Sequence, residues 1–218
     1  MLGTAKGFSE RDLDLEPNSK PYLLKRLISD GFDTVVIFLL YFVLSLALFS
    51  SPLANNYNEH LANYKKEIAA AREEYGEDAA AITQALNANR YFLDEQTAKN
   101  IHGFLIKLLA VFIAEAAVLL AAPLISKERK TPGKMLTGVM PFCERKNAKA
   151  SRLAVFGRFV FVFLIDSVIL GLLTGTLTFI LVPVIRLIEI LLNKKNKTLC
   201  DALSGIMIIE QLSYNGIN

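Results

Sequence analysis

The sequence predicts an all-α membrane protein with four transmembrane helices and a helical extracytoplasmic insertion between helices 1 and 2. Its apolar residues are gathered into long stretches, and the segments between those stretches are highly polar. A helix needs about 20 apolar residues to cross a hydrocarbon core of about 30 Å. The fourth stretch is the shortest and requires tilt or local thinning of the bilayer. The predicted spans are approximately residues 24–49, 101–125, 155–173 and 177–192.

The charges between the spans predict the topology. Segment 127–152 carries eight lysines and arginines against two glutamates, whereas segment 51–100 carries more acidic than basic residues. Because positive loops stay on the cytoplasmic side, 127–152 is predicted inside and 51–100 outside. Basic residues also flank the first and last spans, so both termini are predicted to be cytoplasmic. Those flanking residues are Lys20, Lys25, Arg26, Lys194, Lys195 and Lys197.

Three domain-level regions follow from this pattern. Residues 1–20 are predicted to form a flexible cytoplasmic tail, 21–210 the transmembrane domain with its insertion 51–100, and 211–218 a second tail. The apolar segment 198–209 is too short to span, so it lies either at the inner interface or against the bundle.

The insertion itself is predicted to be helical. Apolar residues recur there at heptad spacing, and Gly76 interrupts the pattern, which indicates one interrupted helix or a short helical hairpin. The recurring residues are Leu61, Tyr64, Ile68, Ala71 and Tyr75. Two roles remain open: packing against its own protein, or contact through 57–95 with a second copy or a membrane partner.

Ionisable residues inside the apolar stretches form a candidate intramembrane polar site. Each costs about 2.5–3.5 kcal/mol at the centre of a bilayer helix, so each needs a partner or a use. If helices 3 and 4 turn near Gly175, Asp166 and Arg186 reach similar depth and can pair. The site holds three acids and one base, so excess acid is protonated or cation-bound unless the group is a structural clasp. Its members are Glu115, Asp166, Arg186 and Glu189.

A second group surrounds the start of helix 1. Arg26 and Asp33 are two helical turns apart on one face, about 10 Å, which is too far for a direct pair. Arg26 can reach lipid phosphates while Asp33 lies deeper, with Asp30 between them. Arg26 or Lys134 can serve as the base for Asp33. The group is either a structural network or an ion- or proton-binding carboxylate pair of Asp33 and Asp201.

Three short pieces together resemble the RDD family of small multi-pass membrane proteins. They are Arg26-Leu-Ile-Ser-Asp-Gly-Phe-Asp33, the Thr131-Pro-Gly-Lys stretch that leads to Gly138-Val139, and Asn196 to Gly205. The resemblance covers most of residues 20–210 except the outer insertion. Cys200 stands where the family often has histidine, and Ser29 where alanine is usual. The motif residues carried over are Arg26, Asp33, Gly133, Lys134, Asp201 and Gly205.

The resemblance implies a bacterial inner-membrane protein, with transport of unidentified ligands or cation/proton antiport suggested for some members. We therefore expect transport of a small solute or cation coupled to protons. The alternative is a non-catalytic assembly or accessory protein that binds partners through the outer arm. Phosphate-loop, Ser/His/Asp and HExxH patterns are absent, so neither enzymatic activity nor a cofactor is expected. The expected partners are the lipid bilayer and a cation or proton, not nucleic acid.

Overall fold

A computed structural model describes residues 20–143, 148–174, 177–193 and 196–210. The two predicted tails, apart from Lys20, and the residues Gly175, Lys194 and Lys195 lie outside the described residues. The chain divides into two compact units. Unit 1 contains the residues up to Leu40 and those from Val111 onward, and unit 2 is Tyr41–Ala110.

Four helices occupy the chain up to the second predicted span. Helix α1 ends at Phe49, before Ser51 and Pro52 begin a short 3-10 turn, so the helix ends where the sequence predicts. Helix α4 starts eleven residues before the predicted second span, because residues 90–100, which carry four charged side chains, continue the same helix. The four helices are α1 Lys20–Phe49, α2 Asn55–Tyr75, α3 Ala79–Ala88 and α4 Arg90–Ile125.

Unit 2 packs the heptad face of α2 against α4. Tyr64 stacks on Phe92 with ring centroids 5.0 Å apart, and Ala71 is buried. His60 Nδ1 lies 2.8 Å from Glu95 Oε2. Segment 51–100 is therefore largely helical, and part of its apolar face packs within the same chain.

The remaining described elements belong to unit 1 and comprise helices and three short strands. They are α5 Pro132–Thr137, β1 Val139–Cys143, β2 Ala148–Lys149, α6, α7 Thr178–Leu192, α8 Leu199–Ser204 and β3 Ile206–Glu210. Helix α6 consists of regular α-helix over Arg152–Val162, a π-helical segment over Phe163–Ile169 and α-helix over Leu170–Thr174. Helix α4 contains a similar π-helical segment over Ala116–Ala121.

Three of the described helices are long and apolar enough to cross a membrane. These candidate spans are Leu23–Phe49, Arg90–Ile125 and Arg152–Leu173. The fourth predicted span coincides with α7, which has only 15 residues. Because a helix rises 1.5 Å per residue, α7 is shorter than the hydrocarbon core is thick. The described part of the chain is thus mostly helical with three candidate spans, and the fourth span stays a prediction.

A small antiparallel sheet, with strand order β2-β1-β3, was not predicted by the all-α class. Gly138 and Gly205 adopt left-handed conformations, with φ of 71° and 67°, that end α5 and α8. Glycine adopts this conformation without the penalty that a Cβ imposes. Each glycine is followed by a short apolar run that forms a strand buried on both faces. The segment 198–209 is therefore a helix and a strand.

The two pieces that build this sheet have the same local structure. Each of 131–143 and 198–210 begins with a threonine whose side chain caps a six-residue helix, turns at a glycine and ends in a five-residue strand. Pro141 and Ile208 occupy the same place in the two pieces and lie opposite each other at the centre of the β1–β3 ladder. We call these pieces cap module 1 and cap module 2. Their pairing through the antiparallel β1–β3 ladder is locally two-fold.

Candidate functional site

Asp33 on α1 is held by the first turn of cap module 1. The Thr131 hydroxyl donates to Asp33 Oδ2, and the Gly133 backbone N–H donates to Asp33 Oδ1 at 2.7 Å. Gly133 lies so close to α1 that a Cβ at this position would overlap the backbone carbonyl of Ser29 and come within 3.0 Å of Asp33 Oδ1. The Thr-Pro-Gly sequence thus serves a helix cap and a close helix contact.

Asp201 in cap module 2 is fully buried between two arginines. Arg26 Nη2 donates to Asp201 Oδ2 and Arg158 Nε donates to Asp201 Oδ1, each at 2.6 Å. The same carboxylate completes the capping box of α8, because it accepts from the Thr198 backbone N–H at 3.3 Å. Charged hydrogen bonds of this kind are about twice as strong as neutral ones.

Asp30 and Lys134 join these two acids into one chain of alternating charges. Arg26 Nε lies 2.9 Å from Asp30 Oδ2, close enough for an ion pair although not aligned as a hydrogen bond. Lys134 Nζ lies 3.4 Å from Asp30 Oδ1 and 3.5 Å from Asp33 Oδ2. The resulting six-residue charge network runs in the order Arg158, Asp201, Arg26, Asp30, Lys134, Asp33.

The charge network is balanced, with three acids and three bases. Burial opposes ionisation of Asp201, yet the Arg26 and Arg158 guanidiniums hold the pKa of this carboxyl well below its usual range. Burial lowers the pKa of Lys134 from its ordinary value, and the carboxylates of Asp30 and Asp33 oppose that shift. The network therefore offers no spare acid to an additional cation.

Two sequence-based expectations for this region are wrong. Arg26 is fully buried and bound to acids, so it does not reach lipid phosphates. Asp33 and Asp201 accept hydrogen bonds from different donors, so the two acids do not form the expected carboxylate pair. The expected position of Asp30 is confirmed, since it contacts Arg26 and is joined to Asp33 through Lys134.

A second polar group lies on α4, α6 and α7. Arg186 donates to Asp166 Oδ2 through Nη2 and, at 2.9 Å, through Nε, so the predicted ion pair is present. Ser167 Oγ donates to Glu115 Oε1 at 2.8 Å. Glu115 is 6% exposed, and its Oε2 has no hydrogen-bond partner among the described residues. Arg186 and Asp166 also interact electrostatically with Glu115.

Glu189, the fourth predicted member, has a different place. Its Oε2 accepts from the Leu199 backbone N–H at 3.2 Å, at the start of α8. It therefore contacts cap module 2 rather than completing the group of Glu115, Asp166 and Arg186.

Sequence reasoning missed Arg158 and Ser167. Arg158 interrupts the predicted span 155–173 just as Asp166 does, so the cost of a charge in an apolar helix was a signal for it. Ser167 carried no comparable signal, because a single hydroxyl is inexpensive in a helix and bonds its own backbone readily.

Cys200 precedes Asp201 and is buried. Burial raises the pKa of its thiol to about 12, and the charge of Asp166 adds to that rise. The residue that replaces the family's frequent histidine is therefore an uncharged thiol, and no imidazole serves this position.

Together, the long apolar helices and the buried, paired charges between them define a multi-pass membrane protein. The family model of the RDD family matches residues 20–205, so the chain belongs to the RDD family. Neither the curated proteins nor the solved structures include a significant match.

The contact between α5 and α1 makes a direct prediction. We expect Gly133→Ala to lower the thermal unfolding temperature in detergent markedly, because the added methyl group meets backbone atoms and not a flexible side chain. Overpacking of this kind lowers the free energy of unfolding by about 1–3 kcal/mol or more. Gly31→Ala on α1 is the matched control, since a Cβ there meets nothing within 4 Å. Equal melting temperatures for the two variants would contradict this contact.

Proposed function

We propose that this protein couples the movement of protons to that of a small cation or solute, and that Glu115 takes up and releases the proton. The observation that carries the proposal is the state of its carboxyl group. One oxygen accepts from Ser167, the other has no partner among the described residues, and the side chain is almost fully buried.

The guanidinium of Arg186 donates to Asp166 through two nitrogens, so its interaction with Glu115 is electrostatic and not a hydrogen-bonded ion pair. A buried carboxylate without a cation is costly, and such a group holds a proton instead. Release of that proton becomes favourable when a cation arrives or when Arg186 changes partner. Ionisable residues of this kind inside a span are associated with ion and proton pathways.

The helix geometry around Glu115 supports the proposal. The π-helical segment of α4 begins directly after Glu115, and that of α6 contains both Asp166 and Ser167. Such segments interrupt the regular hydrogen-bond ladder and occur frequently at functional sites. Both segments adjoin the polar group of Glu115, Asp166 and Arg186. The helices can therefore rearrange slightly there at a small cost in free energy.

We assign the balanced charge network a structural role, different from that of Glu115. Each of its acids already has a basic partner, so binding a further cation requires breaking an existing pair. We therefore propose that the network holds the two cap modules against α1 and α6, while the exchange of protons takes place at Glu115.

Flux through reconstituted vesicles tests the proposal. We expect Glu115→Gln to abolish dissipation of an imposed pH gradient on addition of Na⁺, K⁺ or Li⁺, read with an entrapped pH-sensitive dye. Glutamine keeps the shape and can accept from Ser167, but it cannot carry the proton. Glu73→Gln, at an exposed position of α2, should retain wild-type flux. Glu115→Gln that folds normally and keeps wild-type flux would overturn the proposal.

A further inference from the structure

We propose that the short helices α5 and α8 lie in the membrane interface, with their outer faces against lipid acyl chains. The lipid-contacting surface of the protein then includes parts of segments that the charge pattern alone places in the cytoplasm. This inference does not depend on the transport proposal.

The polarity of α5 is the reverse of that in a helix facing water. Its lysine, Lys134, is 2% exposed and points into the charge network, whereas Leu136 is 64% exposed and Met135 is half exposed. A surface helix of a soluble protein buries its apolar residues and exposes its charges. The arrangement in α5 suits a surrounding that is apolar.

Helix α8 repeats this arrangement independently. Asp201 is completely buried, while Leu203 is 51% exposed and Leu199 is half exposed. Leu136 and Leu203 occupy the same position in the two cap modules, one residue before the hydroxyl residue that precedes the glycine turn. Two helices of the same build thus present leucine outward at equivalent places.

The surface next to α5 indicates that the lipid bilayer contacts these outer faces. Ile125 at the end of α4 and Leu153 at the start of α6 are strongly exposed, so the apolar surface of two spans reaches both ends of the segment that contains α5. Lys127 and Arg152, next to these residues, are also exposed. Lysine and arginine at this depth suit anionic headgroups and can extend their side chains to them.

Site-specific quenching in vesicles tests this placement. A chain with Cys143→Ser and Cys200→Ala receives Leu136→Cys or Leu203→Cys and an environment-sensitive fluorophore. We expect a blue-shifted emission, strong loss of fluorescence with nitroxide-labelled phospholipid, and little loss with aqueous iodide. Lys149→Cys, at an exposed position of β2, should show the opposite pattern.

Every other pattern at both leucine positions overturns the inference. Quenching by iodide would place the helices in water, and protection from both quenchers would indicate a protein partner or a second copy. If Leu136→Cys or Leu203→Cys fails to fold, Met135→Cys and Leu199→Cys report the same two faces, because both residues are half exposed.

Discussion

Asp201→Asn should destabilise the protein more than any other single conservative substitution in the charge network. Its carboxylate is the shared partner of Arg26 and Arg158, and all three groups are buried. Removing one partner of a buried pair strands the other charge at about 3–5 kcal/mol, and here two arginines are affected. Asparagine keeps an oxygen that can accept from the Thr198 N–H, so the loss reports charge and not the helix cap. Thermal unfolding in detergent measures the difference.

The matched control is Glu210→Gln, which removes a partly exposed pair with Lys25 at 2.9 Å. A pair of that kind contributes about 0–1 kcal/mol, so its unfolding temperature should stay near that of wild type. If the Asp201→Asn and Glu210→Gln variants unfold at the same temperature, the proposed role of the two arginines is contradicted.

The stability difference between wild type and Asp201→Asn should depend on pH in a definite direction. The folded protein holds the pKa of Asp201 below its usual range, so only the unfolded chain binds a proton there as the pH falls. The stabilisation from Asp201 is therefore fully present at neutral pH and decreases once the pH drops below about 4, the ordinary aspartate value. The gap between wild type and Asp201→Asn should narrow on acidification and not widen.

The sequence predicted the structure best where a short-range physical rule applied. A charge inside an apolar helix must be paired, and similar distances from the predicted turn were enough to pair Asp166 with Arg186. The serine-proline break likewise ended α1 where expected, because proline cannot continue a helix interior. These features depend on short-range rules that the sequence states directly.

The sheet and the charge network depend on contacts between distant residues. The runs after Gly138 and Gly205 are too short for their periodicity to separate strand from buried helix, so the β1–β3 pairing was not visible. Arg26 is two turns from Asp33, yet it binds Asp201 near the other end of the chain. Spacing along one helix restricts which neighbours on that helix can pair, but it does not specify which distant element packs against it.

Comparing the stability of a single and a double variant tests the ion pair between Asp166 on α6 and Arg186 on α7. Arg186→Leu alone should destabilise the protein by about 3–5 kcal/mol, because the largely buried carboxylate of Asp166 loses its guanidinium partner. Asp166→Leu combined with Arg186→Leu should recover much of that stability, since replacing a whole buried pair by apolar residues is often neutral or favourable.

Unfolding in detergent of wild type, both single variants and the double variant gives the coupling energy of the pair. A large coupling means that the two side chains stabilise each other in the folded protein, as their contact indicates. If the double variant is no more stable than Arg186→Leu, Arg186 compensates Glu115 rather than Asp166. Glu115 would then have a dedicated cation, the reason for assigning it a transferable proton would disappear, and the depth match between α6 and α7 would no longer explain the polar group.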